Sequence, residues 1–176
     1  EHFADPAKPW EIVFTDDGSR DGSLPLLIGI ANAEPRVQVV EFNRNYGQHS
    51  AIFGAFAEAK GQIIVTLDAD LQNPPEEIPK VVAAMDAGHD VVGTIRQDRQ
   101  DTFFRRAASR LVNRTTAAIT GMHLNDYGCM LRGYHRDVVD VMSASDEAAT
   151  FLPALAQQYA RKPVEIPVAH AERTAG

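Results

Sequence analysis

Short apolar runs rich in β-branched residues alternate along the chain with stretches of helical periodicity, the pattern of an α/β protein with a mostly parallel sheet. The run Trp10–Thr15 reads as a buried strand ending at Asp16-Asp17-Gly18-Ser19. A helix is predicted from about Gly22 to Asn32 and a strand from about Val37 to Phe42. Ser50–Lys60 is a small-residue helix stopped by Gly61, and Gln62–Leu67 is the next strand, ending at Asp68. Pro74-Pro75-Glu76-Glu77 opens a helix with proline and acids in its first turn, as the helix dipole favours. That helix stops near Gly88, and Asp90–Ile95 is again a strand. Beyond it the pattern changes. Thr102 to about Thr120 reads as one long helix closed by Gly121. A strand follows over Tyr127–Tyr134, then helices over Arg136–Met142 and Thr150–Ala160, and a last strand over Val164–Val168. The first half has the look of a nucleotide-binding half-sheet and the second of an acceptor-side half, within one compact unit.

Length and composition narrow the picture. A chain of 176 residues fits one domain able to bury a genuine core. Its 17 Lys and Arg against 24 Asp and Glu leave a formal charge of −7, which argues against a general nucleic-acid binder. Cys129 is the only cysteine, so no intrachain disulfide forms. Beside Met130 and Leu131 it reads as a small buried hydrophobe rather than a nucleophile. No apolar run reaches the roughly 20 residues that cross a bilayer, so the chain reads as soluble, with membrane segments in a longer parent left open.

Three polar clusters fall at the carboxyl ends of predicted strands, where open α/β sheets bind ligands. The first, Asp16 to Ser23, offers two carboxylates and two glycines to a base or ribose. An acidic loop capping a helix through Asp21 or Ser23 explains it equally. The second is Asp68-Ala69-Asp70-Leu71-Gln72-Asn73-Pro74-Pro75. In extended chain residues i and i+2 share a side, so Asp68 and Asp70 can converge on one ion. Mg²⁺ or Mn²⁺ favours such oxygens and completes its shell with substrate phosphates. An EF-hand loop needs glycine at its sixth position, where this segment has Asn73, and a helix cap from Asp70 or Asn73 is the plain structural alternative. The third cluster, Gly93 to Asp101, carries Arg96 and Arg99, whose planar forks suit phosphate oxygens. Surface pairing with Asp98 and Asp101 is its alternative.

The stretches Asn43-Arg44-Asn45-Tyr46-Gly47-Gln48-His49-Ser50-Ala51, Asp68–Pro79, Arg96–Arg105 and Asp126-Tyr127-Gly128-Cys129-Met130-Leu131-Arg132 resemble family 2 glycosyltransferases, and among them the polyprenyl-phosphate branch. The likeness runs from about Trp10 to Gly176. It implies a single catalytic domain of the glycosyltransferase A fold, a Rossmann-like sheet flanked by helices. Its activity would be inverting transfer of a sugar from a nucleoside diphosphate, by the nearest likeness UDP, to a polyprenyl (undecaprenyl) phosphate. By the same resemblance Asp16 and Asp17 lie near base and ribose, Asn45 and Gly47 border the nucleotide sugar, and Asp68, Asp70 and Gln72 hold Mg²⁺ or Mn²⁺. Arg96, Arg99, Arg132 and Arg173 face donor or acceptor phosphates, the last within a closing segment His170–Arg173. Asp70, Asp126 and Arg96 are the expected catalytic set. A phosphate acceptor is already ionised near neutral pH, so Asp126 stands either as a base, as the partner that orients a basic side chain, or as a cap after Gly121.

The predicted long helix adds a basic stripe, Arg106, Arg110 and Arg114, with Phe103, Phe104, Ala107 and Leu111 for apolar contact. Between Arg96 and Arg114 lie six arginines and two acids. Such a helix suits an anionic membrane surface and a lipid phosphate, with an ordinary solvated face as the alternative. The expected setting is the cytoplasmic face of a membrane, in a membrane-anchored parent, with a homo-oligomer left open. Family members begin with an apolar strand and a Val-Pro-x-Tyr-Asn-Glu-like stretch that has no match here. The expected sheet therefore lacks a central strand and leaves edges to be paired. Two other functions stay in view: a nucleotidyltransferase, whose glycine-rich Gly-x-Gly-x-Arg-type loop is not found, and a non-catalytic nucleotide-sugar-binding module.

Overall fold

The computed structural model describes residues 9–96, 126, 128–145 and 151–171. The elements in chain order are β1 Ile12–Asp16, α1 Ser23–Ala33, β2 Val37–Glu41, α2 Gln48–Glu58, β3 Ile63–Thr66, a 3₁₀ turn Pro75–Glu77, α3 Ile78–Asp86, β4 Val91–Arg96, β5 Arg132–His135, α4 Arg136–Ala144, α5 Leu152–Tyr159 and β6 Pro163–Val168. The predicted helix 102–120 with its basic stripe, Arg99 and Arg173 lie outside the described residues.

The strands form two sheets. β1 and β2 pair in parallel, and the other four run in the order β3-β5-β4-β6. β5 is antiparallel to both neighbours, whereas β4 and β6 are parallel. The expectation of a mostly parallel sheet is met with this difference: one reversed strand sits inside the larger sheet. Since β5 opposes both β3 and β4, those two run the same way, and with β6 they end on one common edge. The predicted strand 127–134 shortens to 132–135 because the preceding chain is a loop, held by side-chain hydrogen bonds described below.

Alternation along the strands divides the core between two faces. Ile64, Val91 and Tyr134 meet Phe56 of α2, Val138, Val139 and Met142 of α4 and Leu152 and Leu155 of α5. Val92, Leu131 and Val168 face Val81 and Met85 of α3 on the other side. Gly133 belongs to that second face. A Cβ there would stand 2.6 Å from Val81 Cγ1, so glycine lets α3 lie close to β5. Gly88 takes φ 95° just past α3, the expected glycine stop.

α2 ties the two sheets together, packing on β1 as well as reaching the larger core through Phe56. Glu11 Oε1 accepts from the backbone N–H groups of Lys60 and Gly61, fixing the entry of β1 beside the approach to β3.

Candidate active site

The carboxyl ends of β1 and β2 form the first part of the site. Asp16 is buried and its Oδ2 accepts from Ser19 N at 3.0 Å, which tightens the turn after β1. Gly18 follows at φ 76°, and a Cβ there would lie 2.6 Å from the Arg44 carbonyl carbon. The two loops can touch only because that side chain is absent. Asp17 then accepts from Tyr46 N at 2.7 Å and Gly47 N at 2.9 Å, one with each oxygen. Both carboxylates thus shape the loops, a use that their spacing alone did not disclose. Between the loops lies a cavity of about 260 Å³ lined by Asp16, Ser19, Arg20, Asn43, Arg44 and Asn45. The Tyr46 ring lies under the Arg44 guanidinium at 4.8 Å and edge-on to Phe42 at 5.6 Å. Asp21, weighed as a helix cap, instead accepts from Ser23 N at 2.9 Å, and α1 has no side-chain cap.

The second part is the loop after β3. Gln48, the first residue of α2, donates through Nε2 to Asp68 Oδ1 at 2.8 Å, and Asp70 Oδ1 accepts from Gln72 N at 3.1 Å. Burial raises the Asp68 carboxyl, the Gln48 hydrogen bond opposes this, and the charge of Asp70 raises it again, for a net rise above the ordinary value. Two carboxylates that repel in a partly desolvated place are what a divalent cation relieves. The Gln72 side chain is half-buried beside them. Among the described residues no three His, Cys, Asp or Glu side chains gather to hold a metal. The Asp68 and Asp70 carboxylates are the kind of oxygen donors that Mg²⁺ or Mn²⁺ takes while completing its shell from a substrate.

The loop is anchored on its far side. Gln72 O accepts from Ala171 N at 2.8 Å, beyond the end of β6. Asn73 is buried, and its Oδ1 accepts from Cys129 Sγ at 3.4 Å. Thr94 Oγ1 donates to Leu131 O at 2.7 Å and lies 2.9 Å from that sulfur. The buried reading of Cys129 holds, at 1% exposure; its contact with the carboxylate loop was not visible in the sequence.

The third part stands at the end of β4. Arg96 donates from Nε to Asp126 Oδ2 at 2.7 Å and from Nη2 to Oδ1 at 2.8 Å, a two-pronged pair. The side chains are 15% and 6% exposed. Gly128 N donates to the same Oδ1 at 3.0 Å, and a Cβ on Gly128 would lie 3.0 Å from Arg96 Nη2. Burial alone would raise the Asp126 carboxyl. The side-chain hydrogen bonds and charge of Arg96 and the backbone N–H groups of Arg96 and Gly128 outweigh it, and the net shift is downward. An ionised carboxylate with both oxygens engaged orients its arginine rather than abstracting protons.

Arg132, expected on a phosphate, is placed elsewhere. It is 1% exposed, with Nε on Cys129 O at 2.8 Å and Nη2 on Asp126 O at 2.8 Å. A side chain so enclosed presents no face to a ligand. It props the loop that carries Asp126, because carbonyls otherwise orphaned under the sheet edge need donors.

The second and third parts share one edge of the larger sheet, at the ends of β3, β4 and β6, and the first part is tied to the second where Gln48 reaches Asp68. The sequence of the chain matches the profile of glycosyl transferase family 2 over residues 3–142. The chain belongs to that family. Family 2 relatives include undecaprenyl-phosphate 4-deoxy-4-formamido-L-arabinose transferase of Enterobacter sp. (strain 638), 56% identical over 171 residues that make up 96% of this chain and 52% of that protein. The protein of the same name from Klebsiella pneumoniae is 54% identical over 170 residues, with the same coverage. The chain thus spans about half the length of these curated relatives. Among solved structures it is similar to glucosyl-3-phosphoglycerate synthase from Mycobacterium tuberculosis in complex with Mn²⁺, UDP-glucose and phosphoglyceric acid. The TM-score is 0.59 at 16% identity, covering 93% of this chain and 61% of that one. A mannosyltransferase from Pyrobaculum calidifontis in complex with GDP-Man and Mn²⁺ gives 0.60 at 20% identity, covering 94% and 48%. The fold is the glycosyltransferase A fold, as the resemblance implied. No helix of the described residues is long and apolar enough to cross a membrane.

Proposed function

We propose that this chain is the catalytic part of an inverting glycosyltransferase that moves a sugar from a nucleoside diphosphate, UDP by the likeness read from its sequence, to a polyprenyl phosphate at a membrane surface. The observation that carries the reading is the Asp68–Asp70 pair and the Asp126-bound Arg96 on one sheet edge. Carboxylates after β3 and a fixed guanidinium at the end of β4 support a cation and a phosphate held side by side. The curated relatives at 54–56% identity, named for an undecaprenyl phosphate acceptor, support the substrate class.

In this reading Asp68, Asp70 and the Gln72 amide would hold Mg²⁺ or Mn²⁺, which would supply charge neutralisation for a leaving diphosphate. Asn45, Gly47 and the cavity between the β1 and β2 loops receive the nucleoside, with Asp16 and Asp17 shaping the walls. Arg96, fixed by Asp126, is the guanidinium assigned to a phosphate. Its orientation by Asp126 supplies positioning, which is what an acceptor already ionised at neutral pH requires. One displacement at the anomeric carbon inverts its configuration. Arg99 and Arg173 complete the phosphate contacts, and the arginine stripe 106–114 meets the anionic surface. Among the described residues β1 and β3 each pair along one side only, which supports a further strand beside them.

Calorimetric titration of UDP and of GDP, with Mn²⁺ and with chelator, tests the donor half. Binding of one nucleotide only with metal, lost in Asp70→Ala, is expected. Binding that ignores both chelator and Asp70→Ala would point instead to a nucleotide-binding module without transfer chemistry.

A further inference from the structure

Leu71 stands apart within the carboxylate loop. At φ 60° it is the one residue other than glycine in the left-handed region among the described residues. Leucine has no short polar side chain to ease that conformation, which glycine or asparagine would adopt at lower cost. Its side chain is also 64% exposed, next in sequence to Asp70. Neither feature comes from a loose loop. Gln72 is tied on both sides, by N–H to Asp70 Oδ1 and by O to Ala171 N, and Asn73 is buried on Cys129. A loop held so firmly, with a large apolar group pushed outward in a costly backbone state, points to a use for that group.

The surroundings give the class of ligand. Leu67, just before Asp68, is 38% exposed. On the other side of Asp68, Gln48 holds the carboxylate, and the next residue, His49, packs edge-on against Phe151 at 5.7 Å. Phe151 is itself 36% exposed. Apolar side chains thus border the charged cluster on more than one side, which suits a ligand that joins an anion to a hydrocarbon. We propose that Leu71 is a specificity-determining contact for the isoprenoid chain of the acceptor, over which the first isoprene units lie while the phosphate meets the charged groups. The proposal rests on the transferase reading above, for that reading supplies a prenyl phosphate.

Binding of inorganic phosphate, dimethylallyl phosphate and geranyl phosphate to the chain with Mn²⁺ and UDP tests it. The wild type should bind geranyl phosphate roughly tenfold more tightly than inorganic phosphate. Leu71→Asn, at ease at positive φ, should cut that gain to less than about threefold, and Leu71→Met should keep most of it. Affinity for UDP with Mn²⁺ should not change in either variant, which also reports that the loop is intact. A gain undiminished in Leu71→Asn, or no gain in the wild type, overturns the proposal. So does a third result: Leu71→Asn leaving the prenyl gain alone but weakening attachment to phosphatidylglycerol vesicles that contain no prenyl phosphate. That outcome would make Leu71 a bilayer contact instead. Failure of the transferase reading would show separately, as absence of metal-dependent UDP binding by the wild type.

Discussion

Replacing Asp126 by asparagine keeps the shape of the site and removes the charge that holds Arg96. In the native protein two charge-assisted hydrogen bonds of 2.7 and 2.8 Å join side chains that are 15% and 6% exposed. An asparagine oxygen can still receive Nη2 and Gly128 N, but its amide nitrogen then faces the Nε donor. Removing one member of a buried ion pair costs about 3–5 kcal/mol, and the retained acceptor and residual exposure of Arg96 place this case near about 3 kcal/mol. With urea m-values of about 1–3 kcal/mol/M, the midpoint falls by roughly 1–3 M. The sign with pH is fixed. Asp126 has its carboxyl held below the ordinary value in the folded state. Its contribution is therefore complete above the unfolded value and lost as pH falls through the folded one. Urea unfolding of wild type and Asp126→Asn at neutral pH and again below about pH 3 should show the gap closing in acid. Arg96→Met added to Asp126→Asn should recover part of the loss, since the uncompensated charge goes with it. A loss under about 1 kcal/mol at neutral pH, or one of the same size in acid, would refute the buried-pair argument.

Three other outcomes follow from the same geometry. Gly18→Ala places a methyl 2.6 Å from the backbone of Arg44 at φ 76°, so both loops must shift. It should lower stability by about 2–4 kcal/mol in a thermal melt and weaken UDP binding with it. Gly133→Ala drives a Cβ to 2.6 Å from Val81 Cγ1 and 3.3 Å from Met85 Sδ. It should cost about 1–3 kcal/mol and leave nucleotide affinity unchanged in the folded protein; a neutral melt would show that α3 moves away freely. Mn²⁺ affinity should fall as pH drops from about 7 to about 4, because Asp68, raised by burial and by Asp70, takes up a proton before an ordinary aspartate does. Calorimetry in buffers of different ionisation enthalpy reads the released proton directly, and an affinity flat across that range contradicts the assignment.

The strand ends were legible because β-branched runs stopping at Asp16, Asp68 and Arg96 carry their own punctuation. Strand direction was not. Nothing in the period of Arg132–His135 says that β5 runs against β3 and β4; that direction shows only in the pairing registers of the three strands. Arg132 shows a second limit. The family resemblance implied that it faces a phosphate, whereas the carbonyls of Asp126 and Cys129 claim its guanidinium. Leu71 was invisible for a third reason. Left-handed turns are read from glycine and asparagine, and a leucine there is found only by its backbone angle.

Site geometry here depends on a chain of supports that links sheets sharing no strand pairing. Asp17 fixes Tyr46 N and Gly47 N, and Gly47 at φ 92° leads straight into α2. The first side chain of that helix, Gln48, reaches Asp68. A shift in the β1 and β2 loops therefore moves the Asp68 carboxylate, through three consecutive residues and without any strand in between. The same logic holds at the other side, where Arg132 holds Asp126 and Asp126 holds Arg96. In both halves the groups that would touch a ligand are positioned by buried or engaged charges that would not. Asp17 and Arg132 should accordingly be as sensitive to substitution as the residues they support.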